Sequence, residues 1–593
     1  MLKVLGLSFG FHDSAASLLI NGDFVAGSSE ERFSRVKNDN TFPVESIKFC
    51  LNYAGLDIKD LDHIVYYEDP HLKFSRICNA SLKNNDVEYL LNVIDSWIIK
   101  DSFDIVEYIS SKLDYPSEHI THITHHLSHA SSAFFQSPFR ESAILTIDAI
   151  GEYETTGIYH GKDNTIEKIA SFNAPNSIGL LYSAFTAFLG FEVNEGEYKV
   201  MGMSAYGHPK YIKDIMGMIE IDNSGQVKIN EEYFNFYTPK SSLYRDKFID
   251  VFGKPREKNT AFFTGKCLEY SPSYLSDEEK VSLSNENQYY ADIASSLQKV
   301  SEIAISKLVD TALKLCDSNY ICMSGGVALN SVANGLLRTK DKPKDIFIQP
   351  NAGDAGSSLG AALYYSHSIK NFPRVRKFDS CYKGISWNKE DIQKALLRLG
   401  LEKYHYIDDD YTFFNEVTEL MLGKNVLGWF TGRSEWGPRA LGSRSIIANP
   451  SFPDMQEIVN QKIKFREPYR PFAPSVLAEH ATEWFEVGEG LHDSSPESFM
   501  LSVVNVKENK RSFIPSVVHA DGTARIQLVR ENINPDYYNL INAFFDKTSI
   551  PMILNTSFNL KGEPIVNSPE DAIMTFSYCD MDYLIMKPFI ISK

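Results

Sequence analysis

The chain lacks the marks of a secreted or membrane-bound protein. Its seven cysteines, Cys50, Cys78, Cys267, Cys316, Cys322, Cys381 and Cys579, are scattered over 593 residues without a CxxC pair. That scatter argues against zinc ribbons and disulfide frameworks and fits a reducing compartment. No apolar run approaches membrane-spanning length, and Met1-Leu2-Lys3-Val4-Leu5 leads into an expected strand without a basic leader or cleavage site. The expectation is a cytoplasmic protein with no membrane partner. Positive charge is also scarce: 59 Lys and Arg against 77 Asp and Glu leave a net charge of −18. This disfavours a nucleic-acid partner such as tRNA, because affinity for phosphate backbones comes mainly from lysine and arginine. A neutral or cationic small molecule is less hindered.

A hydrophobic content of 43 % is ample for two to four packed domains. Val4–Ser8, Ala15–Ile20 and Phe24–Ala26 read as strands, with Asn21-Gly22 as the hairpin turn. Pro43 and Gly55 bracket a helix from Val44 to Ala54. Residues from about His71 to Leu113 read as a helical insertion. A second cycle starts with the strand Ser142–Asp148 and continues through Thr155 to Tyr159, whereas Pro209 to Glu279 has little periodicity. Tyr289 to Leu315 then carries an apolar stripe at helical spacing, and Tyr320–Met323 reads as a strand. The basic, proline-containing stretch Asn371–Lys383 marks a domain boundary, giving domains at 1–375 and 385–593. No internal repeat is evident.

The densest chemistry is the run Thr124-His125-His126-Leu127-Ser128-His129-Ala130, with Asp148 nineteen residues after His129. On a helix His125 and His129 share a face, so both rings can converge on one ion, although His126 with His129 is a rival pair. Two imidazoles and a carboxylate leave positions open, as a catalytic ion needs. Four polar or glycine-rich loops follow expected strands: Gly10–Ser14, Asp148–Gly151, Ser324-Gly325-Gly326 through Asn330, and Asn351–Ser358. Such loops bring backbone amides and helix starts to phosphate oxygens. Between Val426 and Ser475 the charge balance inverts, with Arg433, Arg439, Arg444, Lys464, Arg466 and Arg470 among glycines, prolines and aromatics. That inversion suggests a pocket for an anion. Thr523–Val529 reads as one strand presenting Arg525, and Ile553–Ser557 as another that ends in short polar side chains.

The order of the four loops resembles the actin and sugar-kinase fold, and with the histidine pair it resembles the branch containing tRNA threonylcarbamoyl transfer enzymes. Glu197-Tyr198-Lys199-Val200-Met201-Gly202, Gly-Gly-Val-Ala-Leu-Asn at 325–330, Gly-Pro-Arg-Ala-Leu-Gly at 437–442 and Arg-Pro-Phe-Ala-Pro at 470–474 narrow this. Over nearly its full length the chain resembles the NodU/CmcH family of O-carbamoyltransferases. The resemblance implies an α/β fold, with a two-lobed actin-like N-terminal domain and an α+β YrdC-like C-terminal domain. It implies that Arg439, Lys464, Arg470, Arg525, Asn555 and Ser557 hold carbamoyl phosphate and ATP with Mg2+, making carbamoyl adenylate.

The same resemblance implies a divalent metal, iron, on His125, His129, Asp148 and Asp354, with the adenylate lying across Gly325, Gly326 and Asn330. His12 would be a catalytic base near the acceptor hydroxyl, and Lys37 would contact the acceptor or intermediate. Many relatives have glycine after the aspartate where this chain has Ala149, which puts a tight phosphate contact there in question. The expected partners are ATP, carbamoyl phosphate and a hydroxylated natural product, cationic by the whole-chain charge, with room left for a homodimer. The rival readings are a threonylcarbamoyl transferase acting on tRNA and an actin-like nucleotide-binding protein without catalysis.

Overall fold

The computed structural model describes all residues except 85, 100–102, 237–241, 375–377, 379 and 489. The first sheet contains Lys3–Ser8, Ala15–Ile20, Asp23–Ser29, His63–Tyr66 and Ile120–His122. The second contains Glu141–Ile147, Glu154–Lys162, Thr165–Asn173, Tyr320–Ser324 and Asp345–Ile348. Counted along the chain, both sheets have the order 3-2-1-4-5. In both, the first three strands are antiparallel and the last two run parallel to the first. This is the duplicated architecture of the actin and sugar-kinase fold. The repeat is one of topology: the two cycles share no evident sequence repeat because only the burial pattern must be kept.

Local chemistry sets the boundaries. Asn21 and Gly22 take positive φ of 53° and 84° to close the first hairpin. The helix Val44–Ala54 ends where Gly55 becomes left-handed. The expected helical insertion resolves into Pro70–Lys83, Val87–Ile99 and Ile105–Leu113. The long helix starts at Asp277, not near Tyr289, and runs to Leu315. A capping box between Ser276 and Glu279 starts it, and its first turns are exposed and polar, so no apolar stripe announces them.

Two helices fill the space beside the sheets and carry the histidines and Asp354. His125–Phe134 and Asp354–Tyr364 approach so closely that a Cβ on Gly360 would lie 1.8 Å from the Ser128 carbonyl oxygen. Only glycine fits there. Nearly the same restriction holds at Gly6, whose Cβ would meet the Ser358 carbonyl at 1.8 Å.

The C-terminal part has its own apolar core, including Leu427, Trp429, Ile446, Leu554 and Leu584. Its eight-stranded mixed sheet runs, in spatial order, Tyr404–Tyr406, Phe589–Ser592, Tyr583–Met586, Leu427–Phe430, Arg444–Ala448, Met552–Ser557, Ala473–Leu477 and Gln527–Val529. A three-stranded sheet of Phe485–Glu486, Val503–Val506 and Thr523–Arg525 lies beside it. The strand expected over Thr523–Val529 is therefore two strands, broken at Ile526 and shared between two sheets. Among the described residues no helix is long and apolar enough to cross a membrane.

Candidate functional site

The helix His125–Phe134 places His125 and His129 one turn apart, and their Nε2 atoms meet at 3.1 Å. Asp148 Oδ2 lies 3.0 Å from His125 Nε2 and 3.2 Å from His129 Nε2. Asp354 Oδ1 is 3.6 and 3.5 Å from the same two atoms. One donor atom from each of the four residues falls within 4.8 Å of the others, and all four are buried. His126 stands outside this set. Its ring contacts Thr146 Oγ1 at 2.7 Å and the Glu154 carbonyl at 2.9 Å, and burial with its histidine neighbours pushes it down to about 3. The ring that meets His129 and both aspartates is that of His125.

Four convergent donors, two imidazole and two carboxylate, fit a first-row divalent cation. The electrostatics of the bare cluster point the same way. Burial alone would lower His125, but Asp354, Asp148 and Glu152 raise it to about 10. Burial would raise Asp148, yet His125 and His129 hold it well below the usual carboxylate range. Supporting contacts orient the set: Ser324 Oγ and Ser357 Oγ reach His129 Nδ1 at 3.3 and 3.2 Å, and the Gly326 amide donates to Asp148 Oδ1 at 3.3 Å. The other ring nitrogen of a ligating histidine is commonly fixed this way.

Gly325 and Gly326 thus lie against the cluster. Gly325 has φ +92°, and a Cβ there would sit 2.3 Å from the Ile147 carbonyl oxygen. Asn330 caps the helix Ser331–Arg338 by accepting from the Ala333 amide at 3.1 Å, and its amide donates to Gln298 at 3.1 Å. Ala149 needs no left-handed backbone, and its amide donates to Asp148 Oδ1 at 2.8 Å.

The cluster opens into a cleft of about 1380 Å³ whose walls include His12, Asp148, Ala149, Tyr153 and the helices Pro70–Lys83 and Val87–Ile99. His12 Nδ1 is 3.0 Å from Asp13 Oδ2, and Nε2 is 3.8 Å from Asp354 Oδ2. Burial lowers His12, but Asp354, Asp13 and Asp148 outweigh it and lift the ring to about 9. Lys37 does not line this cleft. It lies on the side of Lys464, close enough for its charge to oppose that of Lys464.

A second cavity, about 290 Å³, lies between the N- and C-terminal parts. Arg439, Arg470, Arg525, Asn555 and Ser557 line it, joined by Arg466. Lys464 does not. Its Nζ is buried and donates to the carbonyls of Ser557 and Asn559 at 2.7 and 2.8 Å and to Asn559 Oδ1 at 2.6 Å. It fixes the end of the strand Met552–Ser557 from behind. Burial, compounded by Arg466, Arg470 and Lys37, pushes Lys464 well below the usual lysine value. The arginines crowd one another likewise. Burial lowers Arg439 to about 10, and burial plus Arg439 and Arg470 lowers Arg525. Arg439 Nε, Arg525 Nε and Arg466 Nη2 are buried without a hydrogen-bond partner. Asn555 donates to the Ala440 carbonyl, Ser475 and Gln527, leaving its buried Oδ1 unpartnered.

Sequence reasoning did not include Arg466 among the binding residues, although Phe465 between it and Lys464 offers a signal. Phe465 takes φ +47°, an uncommon value for a bulky residue, which lets both neighbours turn inward while its own ring stays exposed. Not every arginine of the basic stretch faces the cavity. Arg444 is enclosed by the carbonyls of Thr431, Ser443 and Ile385, and Arg433 by those of Val25 and Gly384, where it ties the two parts of the chain together.

The helix Glu197–Ser204 bridges the two sites. Tyr198 lines the arginine cavity with Arg470 stacked 4.7 Å above its ring. Glu197, one residue earlier, accepts from Ser183 Oγ at 2.8 Å and the Asn194 amide at 3.1 Å, and both of those residues line the larger cleft.

Two family models match the chain. Residues 3–363 match the family described as Carbamoyltransferase N-terminus, and residues 418–593 match Carbamoyltransferase C-terminus. The Synechocystis sp. protein sll1178 is 38 % identical across 100 % of this chain and 97 % of its own. Nodulation protein NolNO of Sinorhizobium fredii is 35 % identical, covering 98 % of this chain and 79 % of that protein. The 3'-hydroxymethylcephem-O-carbamoyltransferase of Amycolatopsis lactamdurans is 31 % identical over 44 % of this chain and 46 % of its own. With matches at both ends and one that alone spans more than half of its length, the chain belongs to the NodU/CmcH family and is a carbamoyltransferase.

Proposed function

We propose that the arginine-lined cavity activates carbamoyl phosphate with ATP, and that the cleft before the histidine–aspartate cluster passes the carbamoyl group to a hydroxyl of a small natural product. The observation that carries this reading is the pairing of two opposite sites in one chain: four arginines around one cavity, two histidines and two aspartates at the other. In the division proposed, residues 1–375 perform transfer and 385–593 perform activation.

In the first step water takes the phosphoryl group of carbamoyl phosphate, releasing phosphate and carbamate, and the carbamate oxygen then bonds to the α-phosphorus of ATP as the bond to pyrophosphate breaks. Arg439, Arg466, Arg470 and Arg525 neutralise that departing charge, and the free Oδ1 of Asn555 accepts from the carbamoyl amide. Lys464 acts through Ser557 and Asn559, holding the strand end in place. In the second step the acceptor oxygen bonds to the carbamoyl carbon, and AMP leaves with its bonding electrons. His12, at the mouth of the cluster, would take the hydroxyl proton in its neutral form, which a cation held beside Asp148 and Asp354 would favour over the protonated ring of the bare cluster. Gly325 and Gly326 let the nucleotide approach beside Asp148. His125, His129, Asp148 and Asp354 would hold a divalent cation, iron in this proposal, which supplies Lewis acidity.

The test is to incubate the protein with ATP, carbamoyl phosphate and a panel of hydroxylated acceptors. Release of AMP and pyrophosphate with carbamoylated product is the expected result. ADP as the sole nucleotide product would replace this reading with a kinase.

A further inference from the structure

The helices Pro70–Lys83 and Val87–Ile99 form one wall of the large cleft. Lys73, Ile77 and Ala80 on the first, and Val93, Ser96 and Trp97 on the second, reach it at helical spacing. Each helix therefore gives one stripe to the cleft. The polar residues of that wall are largely spent on the protein. Lys73 pairs with Glu68 at 2.6 Å, Lys83 with Glu231 at 2.8 Å, and Asn79 donates to Tyr153 at 2.8 Å.

Arg76 differs. It projects from the same wall, its Nε is buried without a partner, and among the described residues it makes no hydrogen bond or ion pair. One oxygen of each carboxylate near it is occupied. Glu68 Oε1 takes Lys73 Nζ and the Tyr66 hydroxyl, and Glu152 Oε1 takes the amides of Asp69 and His125, each at 2.8 Å. A guanidinium whose buried Nε has no internal partner is costly unless a ligand supplies paired oxygens. Burial lowers the Arg76 pKa, with Glu68, Tyr89, Glu152 and Tyr153 only partly offsetting it.

Resting on the proposed carbamoyl transfer, we propose that the acceptor is a hydroxylated organic anion whose carboxylate or phosphate is held by Arg76, with its hydroxyl directed to His12. This reverses the cationic acceptor expected from the whole-chain charge, because a pocket is read by its own walls and not by the net charge. The cleft volume of about 1380 Å³ leaves room for a sugar-sized body between the two anchors.

The test uses glucose 1-phosphate and glucuronate as anionic probes and glucose and glucosamine as controls, at constant ionic strength, read through the fluorescence of Trp97. Trp97→Phe identifies the cleft signal by its loss. Saturable binding of at least one anion, weaker by about tenfold or more in Arg76→Gln, is the expected result, since a forked charge-assisted contact is lost. Arg76→Lys should recover only part of it, because a point charge replaces the fork. The two anions together separate phosphate from carboxylate recognition. Equal binding by wild type and Arg76→Gln overturns the proposal, as does tighter binding of glucosamine or the absence of a saturable cleft signal. Carbamoyl-phosphate-dependent exchange of pyrophosphate into ATP is followed in parallel. Its absence would sink the carbamoyl reading, whereas a failed anion titration with exchange intact sinks only the assignment of Arg76.

Discussion

The cleft at the histidine–aspartate cluster and the cavity of arginines are built from opposite imbalances. In the cluster, carboxylates outweigh burial and keep His125 near 10, so the bare site gathers protons. In the cavity, burial and mutual repulsion drive Arg439 to about 10 and leave Nε of Arg439 and Arg525 without partners. One site gathers buried carboxylates and imidazoles and the other arginines. The difference teaches that ligand class can be read from what each group of buried side chains fails to satisfy within the protein. It also explains how a chain of net charge −18 can hold a cavity lined by four arginines. Four of its arginines are gathered around one cavity, whatever the charge of the rest of the surface.

The comparison breaks most sharply if the two half-reactions do not separate. His129→Ala should reduce carbamoyl transfer by about 1000-fold and metal affinity by about 100-fold, with pyrophosphate exchange retained. Arg439→Ala should cut exchange by roughly 100-fold while the metal content, measured by elemental analysis, stays at the wild-type level. Loss of pyrophosphate exchange in a folded His129→Ala protein would show that the sites are not independent.

Stability should respond with opposite signs. In metal-free protein Asp148→Asn removes the negative charge facing two buried imidazoles, which should cost about 3 kcal/mol. Arg525→Met removes an unpartnered, desolvated charge beside Arg439 and Arg470 and should raise stability by about 1 kcal/mol while exchange falls. Thermal unfolding without ligands measures both. Destabilisation by Arg525→Met would mean that the cavity is satisfied without an anion.

The parts of this architecture visible in the sequence are those decided within a few residues. Asn21-Gly22, the Pro43 and Gly55 brackets and the one-turn spacing of His125 and His129 all act locally, and each appears where its chemistry places it. What sequence could not give depends on distant partners. Lys464 and Arg466 differ by two positions, yet one braces Ser557 and Asn559 and the other faces the cavity. Lys37 follows the first hairpin but stands near Lys464 and not beside His12. Thr523–Val529 keeps strand composition throughout, and only packing of two sheets breaks it at Ile526. The wall bearing Arg76 belongs to a segment whose helical pattern says nothing of what it covers.

The smallest effect is a pair of opposite histidine titrations. Asp354, Asp13 and Asp148 lift His12 to about 9 against the effect of burial. His519 lines the arginine cavity, where burial and Arg525 outweigh Asp521 and press it to about 4. The folded value of His12 lies above the unfolded value of ~6.5, so its stabilising contribution is full below that pH and is lost as pH rises through 9. His519 lies below it, so its contribution is present above ~6.5 and is lost as pH falls through 4. NMR of metal-free protein labelled at histidine should resolve the two midpoints. His12→Gln should flatten the alkaline limb of stability, and His519→Gln the acid limb. A divalent cation beside Asp148 and Asp354 reverses the local field and should bring His12 down without moving His519. Equal displacement of both would mean that the two sites share one field, and the contrast between them would not stand.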